Sequence, residues 1–443
     1  MGLKYVEQIK SIALFLLILL SLALTFTIWT FTPTHETIAP SAIVEEPIAE
    51  IKNTEEVVRP VKVLFHSEET VTGTDEQSSI EAILDAVQLW EIRDIRLVQE
   101  EATPDAVESY MHSSERAVIY YPGPIPFPVF DSITNIADVA IPESSFNRIV
   151  IEWEAPANDQ PALYFINTVS GRIYKATVPP AAFKQFEEEF VTKAAEYETY
   201  ITDEAIGSLP IYVQEGDVEK PRVNYLLDEI STARFAESLL DSPGLALSAD
   251  FMTQEYTDDS GALMRENSNN KSISYVQPKA ETSDPAIPSD LLFDSLGYVN
   301  EHGGWTDQYF YEDMNSLKQQ IKYQLYIEDL PVFSTSTATG LEITWGVDAG
   351  EEQVYSYLRP TYQLESEAEK RTVVIASGKD ALNAVKQLDT DLSAITDIKP
   401  GYKLTESEEN KLITFEPAWY FETNDAWAEL TSELTGGRKL GLE

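Results

Sequence analysis

The chain has 443 residues, of which 31 are Lys or Arg and 75 are Asp or Glu, so its formal net charge is −44. This excess of negative charge repels phosphate backbones and argues against nucleic acid as a partner. Cysteine is absent, which excludes disulfides, thiolate metal sites and cysteine nucleophiles. A hydrophobic fraction of 43% is typical of globular proteins, and the length allows roughly two to four domains.

An uncharged stretch near the N-terminus predicts a membrane-spanning helix. Residues 11–31, SIALFLLILLSLALTFTIWTF, contain no charged side chain. At 1.5 Å per residue a helix of this length spans about 31 Å, which matches a bilayer core of roughly 30 Å. The stretch is longer than the apolar region of a cleavable signal peptide and has no small-residue cleavage motif. We therefore expect an uncleaved membrane anchor.

Charges on the two sides of this helix predict its orientation. Lys4 and Lys10 lie in residues 1–10, whereas the chain beyond the helix has no lysine or arginine before Lys52. The positive-inside rule then places residues 1–10 in the cytoplasm and the bulk of the chain outside the cell.

The chain beyond the anchor predicts a stalk and three domains. The prolines of residues 32–58 favour a semi-extended stalk. Helical and strand-like patterns then alternate with turn residues, which predicts an α+β fold with mainly antiparallel sheets. The predicted extracytoplasmic domains are residues 59–200, 201–285 and 286–443, with a proline-containing linker, KAETSDPAIPS, before the third.

Local signals in the first domain predict several elements. Apolar residues recur at helical spacing over residues 80–90, and Ser78 or Ser79 is the predicted cap of that helix. Ser170-Gly171 predicts a tight hairpin turn. Pro179-Pro180 predicts the start of a second helix, because proline is favoured in the first helical turn.

A helix followed by strands is predicted in both later domains. In the second domain the helix covers residues 233–240 and the last strand residues 272–276. In the third domain a helix at residues 290–299 precedes the turn His302-Gly303-Gly304. The strands predicted after that turn are residues 305–311, 319–327, 332–333, 341–345, 353–362, 395–404 and 412–421, with a helix at residues 379–388.

Catalytic motifs are poorly represented, since H-E-x-x-H, G-x-S-x-G and the phosphate-binding loop motif are all absent. Ser268 and Lys271 have the S-x-x-K spacing of penicillin-binding enzymes, but their polar surroundings favour a solvated loop. Asp258 and Asp259 are candidate Ca²⁺ ligands, although such a site needs about six to eight oxygens. His302 is a candidate general base whose place in a turn favours a structural role. The sequence therefore predicts no catalytic, cofactor or metal site.

Ser21, Thr25 and Trp29 follow one face of the predicted membrane helix at i, i+4 and i+8. Small hydroxyl side chains allow close helix packing and interhelical hydrogen bonds, and an interfacial tryptophan fixes depth. This face is the predicted contact with a partner helix. The alternative is that both hydroxyls bond to backbone carbonyls of their own helix.

Short motifs in chain order resemble the YycH (WalH) family. The stretch QIKSIALFLLILLSLALTFTIWTFTP resembles the membrane anchor of that family, with its charged-IKSI opening, SLxLT centre and IWT-aromatic-x-P exit. Four later motifs fall where the family carries similar turns and strands, namely VNEHGGWTD, DLPVF, LEITWG and PAWY, which begin at residues 299, 329, 341 and 417.

The resemblance implies a function that composition does not. Members of that family are accessory regulators of the YycG/WalK cell-wall sensor histidine kinase in low-GC Gram-positive bacteria. They act beside a smaller single-pass protein, YycI, through transmembrane contacts, as a restraint in some species and an activator in others. The resemblance also implies that residues 286–443 have a YycI-like fold, and it implies neither catalysis nor a cofactor.

Two other classes of function remain open from the residues. A membrane-anchored cell-wall hydrolase or transpeptidase would need a nucleophile or a metal set that the sequence does not show. An anchored binding or scaffold protein for a wall polymer or secreted ligand would use exposed aromatic residues, such as those of Tyr309–Tyr311 and Tyr355–Tyr362. Aromatic residues clustered in an exposed cleft would favour the binding protein, whereas their burial would favour the regulatory scaffold.

Overall fold

The computed structural model describes Leu17, Leu20, Ser21 and residues 48–138, 140–154, 161–245, 254–280, 285–407 and 412–431. The chain separates into two units, Met1–Pro47 and Ile48–Glu443. In the first unit the three described residues are helical. The rest of the predicted membrane helix at residues 11–31 lies outside the described residues, as do residues 1–10 and the first part of the stalk. Within the described ranges, no helix combines the length and apolar character that a membrane crossing requires.

Eight α-helices lie in the described part of the second unit. They are α1 (Thr54–Val57), α2 (Gln77–Gln88), α3 (Pro104–Met111), α4 (Phe127–Asp131), α5 (Pro180–Glu189), α6 (Thr232–Leu239), α7 (Pro288–Glu301) and α8 (Gly378–Val385). Helix α2 buries Ile80, Ile83 and Val87 on one face, as the apolar spacing predicts. Helix α5 begins at Pro180, which confirms the predicted start.

The predicted cap of α2 is wrong. The helix begins at Gln77, and neither Ser78 nor Ser79 is its N-cap. The preceding residue, Glu76, donates its backbone N–H to Oγ1 of Thr74 over 3.0 Å, so the chain turns into the helix earlier than the serines suggest.

The strands of the first sheet come from residues 62–214. They are β1 (Lys62–His66), β2 (Val71–Thr74), β3 (Glu91–Gln99), β4 (Arg116–Pro126), β5 (Asn135–Ile136), β6 (Ser145–Glu152), β7 (Ala162–Asn167), β8 (Arg172–Thr177), β9 (Glu198–Ile201) and β10 (Val213–Gln214). Their order across the sheet is β10-β9-β2-β1-β4-β6-β7-β8-β3-β5, and every pair except β3–β5 is antiparallel. Gly171, at φ +71°, forms the predicted β7–β8 turn.

The strands of the second sheet come from residues 218–430. They are β11 (Val218–Glu229), β12 (Gly244–Leu245), β13 (Glu255–Thr257), β14 (Leu263–Asn267), β15 (Ser272–Val276), β16 (Tyr309–Asn315), β17 (Gln320–Ile327), β18 (Leu330–Phe333), β19 (Gly340–Asp348), β20 (Glu351–Pro360), β21 (Tyr362–Ile375), β22 (Ile395–Ser407), β23 (Leu412–Thr423) and β24 (Ala426–Leu430). The order is β12-β13-β14-β15-β20-β19-β17-β18-β22-β23-β11-β21, with β16 on β17 and β24 on β23.

This architecture confirms an α+β fold with mainly antiparallel sheets. Strands from the predicted second and third domains share the second sheet, since β15 pairs with β20. The division into three domains stays a prediction.

A single large hydrophobic core contains residues of both sheets, for example Val63 on β1 and Tyr309 on β16. Polar contacts also join the two sheets. Tyr311 donates its hydroxyl to the carbonyl oxygen of Pro124 over 2.7 Å. The first turn of α7 donates the N–H and hydroxyl of Ser289 to the carboxylate of Glu143, over 3.1 and 2.9 Å. The two sheets are therefore held together by both apolar packing and hydrogen bonds.

Candidate functional site

The HGGW sequence after α7 forms a tight turn that another part of the chain approaches closely. Helix α7 ends at Glu301, and the next glycines, Gly303 and Gly304, have φ of +107° and +67°. Such values favour glycine. A Cβ at Gly304 would lie 2.6 Å from the carbonyl oxygen of Ala49, so this position also requires the absence of a side chain.

The segment that approaches the turn is residues 48–59, which we call the tether segment because it contains the last residues of the predicted stalk. Trp305 donates its backbone N–H to the carbonyl oxygen of Glu50 over 2.8 Å, in an isolated antiparallel bridge. The side chain of Asn300 accepts the N–H of Lys52 at 3.0 Å and donates to its carbonyl oxygen at 2.8 Å. The indole of Trp305 donates to the same amide oxygen of Asn300 over 2.7 Å. We call this set of contacts the tether junction.

Below the turn, a buried arginine holds the backbone in place. Arg359 on β20 is fully buried and donates to the carbonyl oxygens of His302 and Gly304, over 3.2 Å each. Its guanidinium also lies 4.4 Å from the ring centre of Phe235. Because a buried cation is costly without such partners, Arg359 fixes the turn against the second sheet.

A cavity of about 530 Å³ lies beside the tether junction. Two cations of the tether segment, Lys52 and Arg59, line it together with two aromatic residues, Trp305 of the turn and Phe310 of β16. The ammonium of Lys52 donates to the carbonyl oxygen of Asp307 over 3.1 Å. Burial lowers the pKa of Lys52, and the neighbouring Arg59 guanidinium lowers it further.

Asp307 also lines the cavity, two residues after Trp305. Its carboxylate accepts the N–H of Leu364 over 3.2 Å. Burial raises the pKa of Asp307 to about 7, against the opposing effects of that hydrogen bond and of the cations Lys52 and Arg359. The tether junction therefore borders a carboxyl group that titrates near neutral pH.

A second cluster of ionisable groups was not predicted from the sequence. His66 at the end of β1 and His112 after α3 have ring centres 4.9 Å apart with their planes tilted by 33°, and both rings contact the ring of Tyr212. The Nε2 atom of His112 lies 3.2 Å from the hydroxyl of Tyr120. Burial lowers the pKa of His66 to about 4 and that of His112 to about 3. We call these two residues the histidine pair.

The position of His302 in the turn is explained by its contacts with Tyr298. Its ring stacks on Tyr298 at 4.0 Å between centres, and its Nδ1 lies 3.0 Å from the carbonyl oxygen of Tyr298. Because a carbonyl only accepts, that nitrogen carries the proton. Burial lowers the pKa of His302. These contacts fit the structural role that the sequence favours.

The other candidate chemical groups are engaged in local contacts. Lys271 pairs with Glu229 and Glu406 over 2.7 and 3.1 Å, while Ser268 donates to Glu266 over 3.0 Å. Asp258 accepts hydrogen bonds from Ser260 and Ala262 in its own turn, over 2.9 and 3.2 Å. No group of three or more potential metal ligands lies among the described residues.

The aromatic residues that a wall-binding protein would expose are mostly in the core. Tyr309, Tyr311, Tyr357 and Tyr362 are each at most 1% exposed. Their burial favours the scaffold over a binding surface made of these rings. Of the predicted partner-helix contact, Ser21 is helical and exposed, while Thr25 and Trp29 lie outside the described residues.

Comparison with known proteins identifies the family. The YycH N-terminal domain model matches residues 7–195, and the YycH C-terminal domain model matches residues 210–436. The chain belongs to the YycH family. The Bacillus subtilis (strain 168) protein named "Two-component system WalR/WalK regulatory protein YycH" is 21% identical over 447 residues, which cover 97% of each chain. The crystal structure of YycH from Bacillus subtilis matches with a TM-score of 0.69 at 18% identity, over 87% of this chain and 98% of that one.

Membership of the YycH family gives the HGGW turn a context. The turn lies inside the region matched by the YycH C-terminal domain model, whereas the tether segment lies inside the region matched by the N-terminal domain model. The tether junction therefore joins the two halves of a YycH chain. The likeness to the Bacillus subtilis structure concerns the fold alone.

Proposed function

We propose that this YycH chain is a membrane-anchored, extracytoplasmic regulator of a two-component sensor histidine kinase of the WalK type. The observation that carries the proposal is the match of both YycH domain models, together with the name of the Bacillus subtilis relative as a WalR/WalK regulatory protein. In this proposal the helix at residues 11–31 is the anchor, and a single-pass YycI-like protein is a second partner. The chain has no catalytic role in it.

The tether junction supports a route between the anchor and the outer part. The tether segment contains the last residues of the predicted stalk, and its backbone is bonded to Asn300 near the end of α7 and to Trp305 in the following turn. The second sheet shares one core with the first. Because packed cores transmit displacement instead of absorbing it, a displacement of the tether segment would move both sheets together.

The proposed contact within the membrane uses Ser21, Thr25 and Trp29. Lipid gives apolar helices no hydrophobic drive to associate, so specificity comes from close packing and interhelical hydrogen bonds worth roughly 0.6 to 2 kcal/mol each. On the predicted helix, Ser21 and Thr25 lie on one face, and their small hydroxyl side chains allow both close packing and interhelical hydrogen bonds.

Co-purification tests the function. The full chain would be isolated from detergent-solubilised membranes and its partners identified by mass spectrometry. We expect a sensor histidine kinase and a second single-pass protein. A preparation that contains neither, or one that turns over peptidoglycan, would contradict the proposal.

Replacement of Ser21 and Thr25 by leucine tests the helix contact. Leucine keeps the helix apolar but removes the hydroxyls and the small-residue notch, so we expect the complex to weaken by about one to two decades, or ~1 to 3 kcal/mol. Crosslinking between this helix and the kinase helices at matched expression measures the loss. The control variant Leu16→Ile/Leu20→Ile alters another stripe and should have little effect. Equal crosslinking in the unaltered chain and both variants would indicate that the partners contact each other through the extracytoplasmic domains and not through this helical face.

A further inference from the structure

The cavity at the tether junction has the size and setting of a ligand site. Its volume of about 530 Å³ falls in the range of small-molecule pockets, roughly 300 to 1,000 Å³. One wall comes from the tether segment, with Glu50, Lys52 and Arg59. The opposite wall comes from the second sheet, with Phe310 and Gln363. A ligand in this cavity would contact both sides of the junction at once.

Two cations converge on one aromatic ring in this cavity. The ammonium of Lys52 lies 5.9 Å and the guanidinium of Arg59 5.0 Å from the ring centre of Phe310. This convergence occurs in a chain that has 31 basic against 75 acidic residues. Like charges held near one another are unfavourable. Glu50 and Glu56 near Lys52, and Glu81 paired with Arg59, offset part of this repulsion, and an anion between the two cations would lower it further.

Both cations have capacity for such an anion. Among the described residues, the ammonium of Lys52 forms no ion pair, and its hydrogen bond is to the neutral carbonyl of Asp307. Arg59 pairs with Glu81 through Nη1 over 2.7 Å, and a guanidinium has five N–H donors in all. Amide side chains of Gln308 and Gln363 also line the cavity and can donate.

We infer that the cavity binds a small ligand with a single carboxylate, which is held by Lys52 and Arg59. Carboxylate suits the site better than phosphate, because Glu50 and Glu56 also line the cavity and would repel a doubly charged group more strongly. A bound carboxylate would join the tether segment to the second sheet and stabilise the tether junction. The inference does not depend on the regulatory role, since binding needs no kinase.

Titration calorimetry on the full chain in detergent micelles at low salt tests the site. The probes are acetate, propionate and succinamate, which carry one carboxylate each, with neutral succinamide and inorganic phosphate as comparisons. We expect saturable binding of at least one carboxylate, stronger than that of phosphate and absent for succinamide. Hydrogen exchange of the amides in residues 48–59 and 305–310 should slow when that carboxylate is bound.

Variants connect the binding to the two cations. Arg59→Met leaves the backbone contacts of the tether junction intact and should weaken binding tenfold or more. Lys52→Met should do the same, while Lys52→Arg should retain most of the affinity. Lys184→Met, at an exposed site on α5, is the matched control and should not change it. The inference is overturned if no carboxylate saturates, if phosphate binds more tightly, or if Arg59→Met and Lys52→Met bind like the unaltered chain.

Discussion

The histidine pair and the tether junction both bury ionisable side chains, but they differ in what surrounds those side chains. His66 and His112 are packed by rings, with Tyr212 against both. Lys52 and Asp307 instead border a cavity of about 530 Å³. Close packing around neutral imidazoles indicates a structural core, whereas charged groups beside open volume indicate a site. A shifted pKa alone does not separate these two cases, and the local packing does.

Acid unfolding is the prediction with the largest expected effect, and it concerns the histidine pair. A histidine in the unfolded chain titrates near 6.5, whereas His66 and His112 do so at about 4 and about 3. The unfolded state thus binds more protons below about pH 6.5, so stability is full above that pH and falls as pH drops. We expect the pair to lose about 4 kcal/mol between pH 7.5 and 5.

Urea unfolding at the two pH values measures this loss. The variant His66→Phe/His112→Phe removes both titrating groups and should show a smaller change over the same pH range. Any constant cost of repacking cancels in that difference. Equal pH dependence in the variant and the unaltered chain would mean that these histidines do not stay neutral in the fold.

The glycine of the tether junction provides the next largest effect. Alanine at Gly304 would place its Cβ 2.6 Å from the carbonyl oxygen of Ala49 and 2.7 Å from that of Glu50. We expect Gly304→Ala to displace the tether segment at a cost of about 2 kcal/mol beyond the strain of a positive φ. Hydrogen exchange should rise in residues 48–59.

Gly350→Ala is the matched control for that variant. Gly350 also has a positive φ, of +91°, but a Cβ there meets no atom within 4 Å. It therefore measures the backbone strain without the clash. If the two alanine variants lose equal stability and leave residues 48–59 equally protected, the junction is not a close contact.

The smallest effect concerns Asp307, and its sign is opposite to that of the histidine pair. Its pKa is raised from 3.8 to about 7, so the folded state retains a proton that the unfolded state has released. This contribution is present at about pH 4 and is lost as pH rises through about 7. Asp307→Asn should therefore gain about 1 kcal/mol relative to the unaltered chain between pH 6 and 7. Urea unfolding at the two pH values measures this gain. The control is Asp105→Asn, at an exposed position of α3, which should unfold with the same pH dependence as the unaltered chain.

Several elements follow from residues close together in the chain. Strand β15 runs over Ser272–Val276 as predicted, α5 begins at the second of two prolines, and Gly171 makes the β7–β8 turn. In each case the signal is local, since apolar alternation, a fixed proline φ or a permissive glycine φ acts on the adjacent backbone.

Other elements depended on distant contacts. Strand β21, Tyr362–Ile375, was not predicted, because its exposed charged residues hide the alternation. Pairing with β11 along its length makes it a strand. Strand β16 begins at Tyr309 and not at residue 305, because Trp305 is bonded to the tether segment.

The sequence by itself determined the α+β class, the predicted anchor and the family motifs, including the HGGW turn. Only the tertiary structure brought Lys52 to Asn300, which are 248 residues apart, and His66 to His112. Periodicity describes which face of an element is apolar, but not which element lies opposite it. Which elements pack against each other depends on the order of strands in a sheet and on the docking of one segment on another. These contacts also determine where the cavity lies.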